Sequence, residues 1–412
     1  MSNLFDTKIL AFQLLTPLHI GGYVEKYTPF EYLVCQQELY FINENRLFAF
    51  LREKNLLSKY VSEINLYGPE FHIYKFLKEN LGDINVELLE NISRDRAKVE
   101  TDKEFLEFRP LIRDGWGVPY IPGSAIKGLI RTAVLYKILK TLKQRAPRQF
   151  EIEIIDKIKN VLPEACKRRE PFKGLINKWL QDFKIEGKKN SPHTDWLRLI
   201  RIRDVYPVFR STTRIYEVVI LSHNGRKWQE KEDVSIFLEC LPLSSIYQFA
   251  LSMDTVLLER FNIPRKLKIV EDAYPRKIED VFEALDEFSR DLCTEEQKSF
   301  DGYPSLKQWY ERSLTKRIFC LGWEGGLLSK TIFLLLPEEL RKLVRNNLRH
   351  DRGEALTPKS RRMIKLKQKM LPLGWAKWVH DGETVLEKND HKIIVKLQEN
   401  NFKLVKIKKT RL

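Results

Sequence analysis

The chain is predicted to be an α+β protein, a ferredoxin-like or RNA-recognition-type sheet carrying large insertions. Three observations lead there. A strand that is apolar on both faces opens the chain, Lys8 to Leu15. A long helix, Ala125 to about Lys140, follows a Pro-Gly stop. A strand, a hairpin and a further strand then occupy Leu197 to Met253.

Each element has a local reason. Both faces of the first strand are apolar, which suits a central position, and it ends at the breaker-rich TPLHIGG run, Thr16 to Gly22. Tyr32 to Ile42 reads as a strand or hairpin. Arg46 to Tyr60 and His72 to Leu81 carry Leu and Phe at helical spacing. Asp83 to Phe108 is more charged and reads as an inserted, partly exposed segment. After the long helix, Glu151 to Phe183 is helical and Lys184 to Thr194 a loop. Leu197 to Tyr206 is a strand closed by Pro207. Asn224-Gly225 marks a hairpin tip between Arg214–Ser222 and Glu232–Leu241. Tyr247 to Met253 is a strand, and Asp254 to Arg317 is mostly helical. A Gly-rich turn, LGWEGGLLSKT from Leu321 to Thr331, leads into an apolar strand ending at Leu336. The rest carries several Lys/Arg clusters.

With 412 residues, two domains or one much-decorated domain are possible. Lys and Arg outnumber Asp and Glu 72 to 56, a net charge of +16 that favours an anionic partner, nucleic acid first. No apolar run approaches the ~20 residues of a membrane span, so no membrane partner is expected. The N-terminus lacks the pattern of a signal peptide. Five scattered cysteines without Cys-x-x-Cys argue against a zinc ribbon or redox motif and point to reduced thiols in a cytoplasm. The seven histidines make no ligand spacing, so neither metal nor cofactor is expected. His350-Asp351 is read as a helix-end His beside an Asp.

The candidate sites are cationic. In VPYIPGSAIKGLIR, Val118 to Arg131, Ser124 is placed to cap the helix, and Lys127 and Arg131 share one face. Exposed amides, the helix dipole and Lys127 together could cradle a phosphate; an amphipathic helix with solvated charges gives the same pattern. Arg201 and Arg203 alternate onto one strand face, which could meet RNA or solvent. Arg226, Lys227 and Trp228 make a basic, aromatic hairpin tip, either a wedge along a nucleic-acid strand or an exposed turn. Gly325, Gly326, Ser329 and Lys330 form either a binding loop or a Gly-containing turn. Lys359, Arg361 and Arg362 are the C-terminal phosphate candidates. His19, in the turn after the first strand, is the best-placed histidine. No Ser-x-x-Lys or Gly-x-Ser-x-Gly supports a covalent nucleophile.

Taken together, these blocks resemble the RAMP superfamily of CRISPR-associated proteins. TPLHIG (Thr16 to Gly21) resembles its start, PYIPGSAIKGLIR (Pro119 to Arg131) its helix motif, and RIRDVY (Arg201 to Tyr206) its next core strand. The Gly-rich run, PKSRR (Pro358 to Arg362) and PLGW (Pro372 to Trp375) are similar to one branch, the capping subunits of type III-A (Csm) effector complexes. The resemblance implies a Cas7-like core over 1–340, with sheet segments near 7–20, 110–140, 197–253 and 317–336. It implies insertions near 23–108 and 254–316, a thumb hairpin near 207–241, and a basic segment over 341–412. It further implies a non-catalytic subunit that caps the backbone filament at the crRNA 3′-proximal end. Its partners would be crRNA and base-paired target RNA, the repeated Cas7-like backbone subunit and the small helical subunit. Recruited host nucleases would complete crRNA 3′ maturation. Ser124, Lys127 and Arg131 would hold crRNA phosphates, with His19 and Gly21 beside them, and the hairpin around Asn224 would be the thumb.

The cleaving backbone subunits place an aspartate in the loop after the first strand. GGYVEKYTPFE, Gly21 to Glu31, has none, which argues against target cleavage, with Glu25 and Glu31 left as carboxylates there. The alternatives are a RAMP endoribonuclease with His19 as general base, and the capping subunit of a type III-B complex.

Overall fold

The structure is a computed structural model. It describes residues 4–409 except 168–171, 173–177, 182, 184–191, 210, 225–226, 324–325, 350–354, 380–382, 389–390 and 399–400. Along the chain, β1 (Phe5–Leu14) is followed by β2 (Tyr32–Cys35) and β3 (Glu38–Ile42). Helices α1 (Glu44–Glu53), α2 (Leu57–Tyr67), α3 (Ile73–Leu81) and α4 (Val86–Ile92) lead to β4 (Ser93–Val99). The long α5 (Gly123–Arg145) is followed by α6 (Pro147–Phe150), α7 (Lys157–Lys167) and α8 (Lys178–Gln181). Then come β5 (Ile200–Ile202), β6 (Tyr206–Pro207), β7 (Thr213–His223), β8 (Trp228–Cys240) and β9 (Ile246–Asp254). Helices α9 (Thr255–Arg260), α10 (Ile278–Ser299) and α11 (Pro304–Leu314) precede β10 (Ile318–Cys320) and α12 (Glu338–Arg349). The chain ends in β11 (Ser360–Leu366), β12 (Lys369–Pro372), β13 (Trp375–Val379), β14 (Glu383–Lys388), β15 (His391–Gln398) and β16 (Asn401–Lys409).

Two large sheets and one small one result. The first runs β10-β13-β1-β9-β5, with β6 also on β9. The doubly apolar β1 is central, antiparallel to β9 on one side and β13 on the other. Helices α5 and α10 join this sheet in the main core. Phe12 stacks on Tyr247 at 5.4 Å, and Tyr136 of α5 packs on Phe288 of α10 at 5.0 Å. The exposed-looking lysines of α5 are partly taken up by α10: Lys137 pairs with Glu283, and Lys140 with Glu287 and Asp291.

The second sheet runs β12-β11-β7-β4-β3-β2, with β8 on β7. It absorbs segments that the sequence presents as excursions. The charged stretch around β4 is an inner strand, parallel to β7 and antiparallel to β3. The β7–β8 hairpin pairs along most of its length and is flanked by β11 through Ser360–Lys365. Its tip is not a free wedge: Trp228 is buried, its ring 4.6 Å from that of Phe300, and its indole N–H donates to the Ser299 carbonyl at 2.9 Å.

The basic C-terminal segment is likewise structural in large part, since β11 completes the second sheet and β13 lies beside β1 in the first. Two strand expectations fail. Leu197–Tyr206 is a 3₁₀ turn (Trp196–Leu199), the three-residue β5, a loop and β6. The apolar run ending at Leu336 holds a 3₁₀ turn, Phe333–Leu335, buried in the main core. Short apolar runs do not distinguish a strand from a buried turn by periodicity. Among the described residues no helix is long and apolar enough to cross a membrane.

Candidate nucleic-acid interface

The start of α5 is set by a backbone contact. A Cβ on Gly123 would lie 2.6 Å from the Ile202 carbonyl oxygen and 2.8 Å from that of Arg203, so only glycine fits. That approach lets the Gly123 N–H donate to Asp204 Oδ1 at 2.8 Å. The carboxylate that caps α5 thus comes from 81 residues away. Ser124, expected to cap the helix, is inside its first turn with an exposed side chain; the preceding Pro122 makes no side-chain cap.

Lys127 is half-buried beneath this turn, and its Nζ donates to the Ile200 carbonyl at 2.9 Å. Desolvation holds its pKa below the ordinary lysine value; Asp195 opposes this, and Arg131, Arg198 and Arg201 add to it. Ser124, Lys127, Arg198, Arg201, Asp254 and Arg260 line a cleft of about 690 Å³. Four cations face one carboxylate there. Like charges crowded around a partly desolvated amine favour entry of an anion. Arg201 is braced from below, its guanidinium 4.3 Å from the Phe5 ring and bonded to Asp254 Oδ2 at 2.9 Å. The same Asp254 caps α9 through Leu257 N–H.

Two expected members are placed elsewhere. Arg131 is ion-paired with Asp195 at 2.7 Å, and Asp195 also caps the Trp196 turn by accepting from Leu197 N–H. Arg203 does not share a strand face with Arg201, because β5 ends at Ile202; it is exposed in the following loop. Arg198 and Arg260 were missed. Arg198 stands three residues before the RIRDVY block and Arg260 at the end of α9, so neither is marked by a motif; both are exposed basic residues in a basic chain.

The other blocks converge on the loop after β1. Trp375 N–H donates to Thr16 Oγ1 and Gly374 N–H to the Pro17 carbonyl. Leu321 N–H donates to the Gly374 carbonyl and Trp323 N–H to the His19 carbonyl. Gly322 (φ +87°) and Gly374 (φ +70°) make these crossings possible.

His19 sits in the middle of this junction, 1% exposed. Its Nδ1 lies 2.7 Å from the Glu239 carbonyl. A carbonyl can only accept, so Nδ1 carries a proton. Burial lowers its pKa to about 4 against the stabilising Glu239 bond, with Arg109 adding to the drop. His19 is therefore a packing element, and Gly21 lies against it, a Cβ there reaching 3.4 Å from Nε2. The Glu239 side chain is itself buried, accepting from Arg113 Nη2 at 2.5 Å, Thr213 Oγ1 at 2.7 Å and Leu111 N–H at 2.9 Å.

The remaining candidates are scattered. In the Gly-rich loop, Ser329 Oγ is buried while Gly326 and Lys330 are exposed, Lys330 N–H donating to the Gly326 carbonyl. Lys227 is exposed at the hairpin tip, its N–H bonded to Asn224 Oδ1. The Lys359 carbonyl accepts from His223 N–H. Arg361 is not available to RNA: it is buried against Glu296 at 2.8 Å. Arg362 stacks its guanidinium 4.0 Å from the Trp323 ring, which Arg109 also approaches, at 5.9 Å. Arg226, Gly325, His350 and Asp351 lie outside the described residues. Among the described residues, no three His, Cys, Asp or Glu side chains gather as metal ligands.

The curated protein "CRISPR system Cms protein Csm5" of Streptococcus thermophilus is 28% identical over 186 residues, 43% of this chain and 51% of the relative. Its namesake in Enterococcus italicus is 24% identical over 162 residues, 34% of this chain and 45% of the relative. The matched stretch thus spans about half the length of these relatives. In fold, the chain is similar to one in the cryo-EM structure of a Csm–crRNA–target RNA ternary complex of a type III-A CRISPR-Cas system. That match has TM-score 0.67 and 22% identity, and covers 91% of this chain and 100% of the other. The crystal structure of T. onnurineus Csm5 is similar too, with TM-score 0.63, 22% identity and coverage of 89% and 99%. The model of the RAMP superfamily matches residues 11–323, from within β1 to Trp323 against the His19 junction, and the chain belongs to that superfamily.

Proposed function

We propose that this chain is a non-catalytic, crRNA-binding subunit of a type III-A Csm effector complex. It caps the Cas7-like backbone filament at the crRNA 3′-proximal end and contacts the small helical subunit and base-paired target RNA. It takes part in crRNA 3′ maturation through host nucleases. The observation that carries RNA binding is the cleft at the start of α5, where four cations face one carboxylate. Likeness to proteins named Csm5, and to a chain of a Csm–crRNA–target RNA complex, supports the place in the assembly. The non-catalytic reading is supported by His19, since a general base must reach its proton and this imidazole is sealed off.

The test uses full-length protein and a fluorescein-labelled single-stranded RNA. Arg198→Gln with Arg260→Gln removes two exposed charges. Single-strand contacts contribute about 0.7 each to the log–log salt slope, so the slope should flatten by about 1.4. From 50 to 200 mM salt, the variant should lose about sevenfold less affinity than wild type. Parallel slopes would remove the cleft from the RNA path. Co-expression with the other Csm subunits and crRNA should give a complex containing this chain, and the purified chain should leave RNA uncut.

A further inference from the structure

Between β4 and α5 the chain makes a small hairpin closed by pairing of Arg113 with Pro119. Its turn is over-determined. Asp114 Oδ1 accepts from both Trp116 and Val118 N–H at 2.9 Å, and Asp114 N–H donates to the Val118 carbonyl at 3.0 Å. Gly117 takes φ +79°, and its carbonyl accepts from Arg113 Nη1 at 3.0 Å. Arg113 is anchored in turn to Asp95 and the buried Glu239. On this rigid turn stands Trp116, 89% exposed.

The turn is also tied to the α5 cleft. Three consecutive residues do this. Asp204 caps α5 at Gly123, Val205 pairs with Ile121, and Tyr206 OH donates to Asp114 Oδ2 at 3.0 Å. Tyr206 stacks on Tyr120 with centroids 5.8 Å apart, which steadies that bond. The position of Trp116 relative to the cleft is therefore fixed before any ligand arrives.

A large indole held in water contributes nothing to the core, and its face is open to a partner. Beside it stand Gly115 and Gly117, with Asp114 and Arg113 next along the chain. The tip thus offers one flat ring rather than the broad patch a protein interface of roughly 800 Å² per partner requires. An exposed ring on a turn bonded to the start of a cationic groove suits single-stranded nucleic acid, since every base has a π-face to stack.

We propose that Trp116 is a stacking platform for one unpaired base of the RNA strand whose phosphates enter the α5 cleft. The proposal rests on the RNA-binding reading above. It adds a sequence-tolerant, charge-independent contact to an electrostatic one.

Full-length wild type, Trp116→Ala and Trp116→Phe are compared by anisotropy with a fluorescein-labelled single-stranded RNA and with the same RNA carrying single abasic positions. Stacking predicts about tenfold weaker binding for Trp116→Ala. Its salt slope should be unchanged, because no charge is lost. Trp116→Phe should keep most of the affinity. One abasic position should weaken wild type but not Trp116→Ala. Because Trp116 is exposed, the melting temperature should not move.

Affinity equal to wild type for Trp116→Ala, on an RNA that Arg198→Gln with Arg260→Gln weakens, overturns the stacking and leaves the cleft intact. Normal RNA binding by Trp116→Ala with failure to join the other Csm subunits also overturns it, in favour of a protein contact. Weakening by Trp116→Ala alone leaves the stacking standing and removes the cleft. No RNA binding by wild type overturns both.

Discussion

Acidification should destabilise this protein through His19, and the size of the effect follows from its burial. An unfolded histidine titrates near 6.5, whereas His19 in the fold is lowered to about 4 by desolvation. Below pH 6.5 the unfolded chain takes up a proton that the folded chain refuses. Stability from this group is therefore complete above about pH 6.5, falls as pH drops, and levels off below about 4. At pH 5 the linkage amounts to about 2 kcal/mol, and the full 2.5-unit gap to about 3 kcal/mol. Other groups titrate in the same range, so the assay is a difference. Urea midpoints are measured from pH 7.5 to 4.5 for wild type and His19→Gln, which keeps an N–H donor toward the Glu239 carbonyl but cannot ionise. Wild type should lose about 2 kcal/mol more than His19→Gln between pH 7.5 and 5. Parallel curves would mean that His19 is protonated in the fold, and would reopen it as an accessible acid or base.

The His19 junction makes a second prediction at Gly374. Alanine there would carry φ +70° and a Cβ 2.0 Å from the Leu321 carbonyl oxygen. It should cost about 3 kcal/mol or more by denaturant midpoint. Gly68→Ala, at φ +51° and ψ −125° with open space around it, meets backbone strain alone, about 1–3 kcal/mol, so Gly374→Ala should be the costlier of the two; equal losses would refute the steric argument. A third prediction concerns the buried Arg361–Glu296 pair. Glu296→Ala should cost about 3–5 kcal/mol by stranding the guanidinium, while Glu296→Leu with Arg361→Met should recover most of it. A loss under about 1 kcal/mol for the single variant would place the pair in water.

What the sequence could show depended on whether the cause of a feature was local. The strand β1 was legible because two apolar faces require neighbours on both sides, and β9 and β13 are those neighbours. The helix α5 was legible from its Pro-Gly stop and periodicity, to within two residues at its start. Its cap was not, because Asp204 reaches it from across the fold. The basic C-terminal run reads in sequence as a source of phosphate contacts for the same reason. Arg361 meets Glu296 from 65 residues away and Lys365 meets Glu230 from 135 residues away. Charge composition reports that cations are present, but not which carboxylates fold back onto them. Trp228 was misplaced likewise: an Asn-Gly turn predicts a hairpin tip correctly, but not that Phe300 lies beneath the tip.

This division bears on what a motif match says about function. Thr16, Pro17, His19, Leu321, Trp323, Gly374 and Trp375 come from segments far apart in sequence, yet hydrogen bonds tie them together pairwise at one junction, with Gly322 packed against the His19 carbonyl. Their residue types are dictated by left-handed backbone, close approach and a carbonyl that needs a donor. That set identifies the fold. The groups offered to an anion are different: Arg198 and Arg260 stand outside the blocks, and Lys127 and Arg201 are the members that serve both roles. A chain could hence keep every block and still differ in its grip on RNA through residues on the cleft wall. For this reason, the variants that test function here change Arg198, Arg260 and Trp116, whose side chains are exposed, while those that test the fold change His19, Gly374 and Glu296, which are largely enclosed. If cleft variants alter stability, or junction variants alter the salt slope of RNA binding at constant stability, the separation of the two roles is wrong.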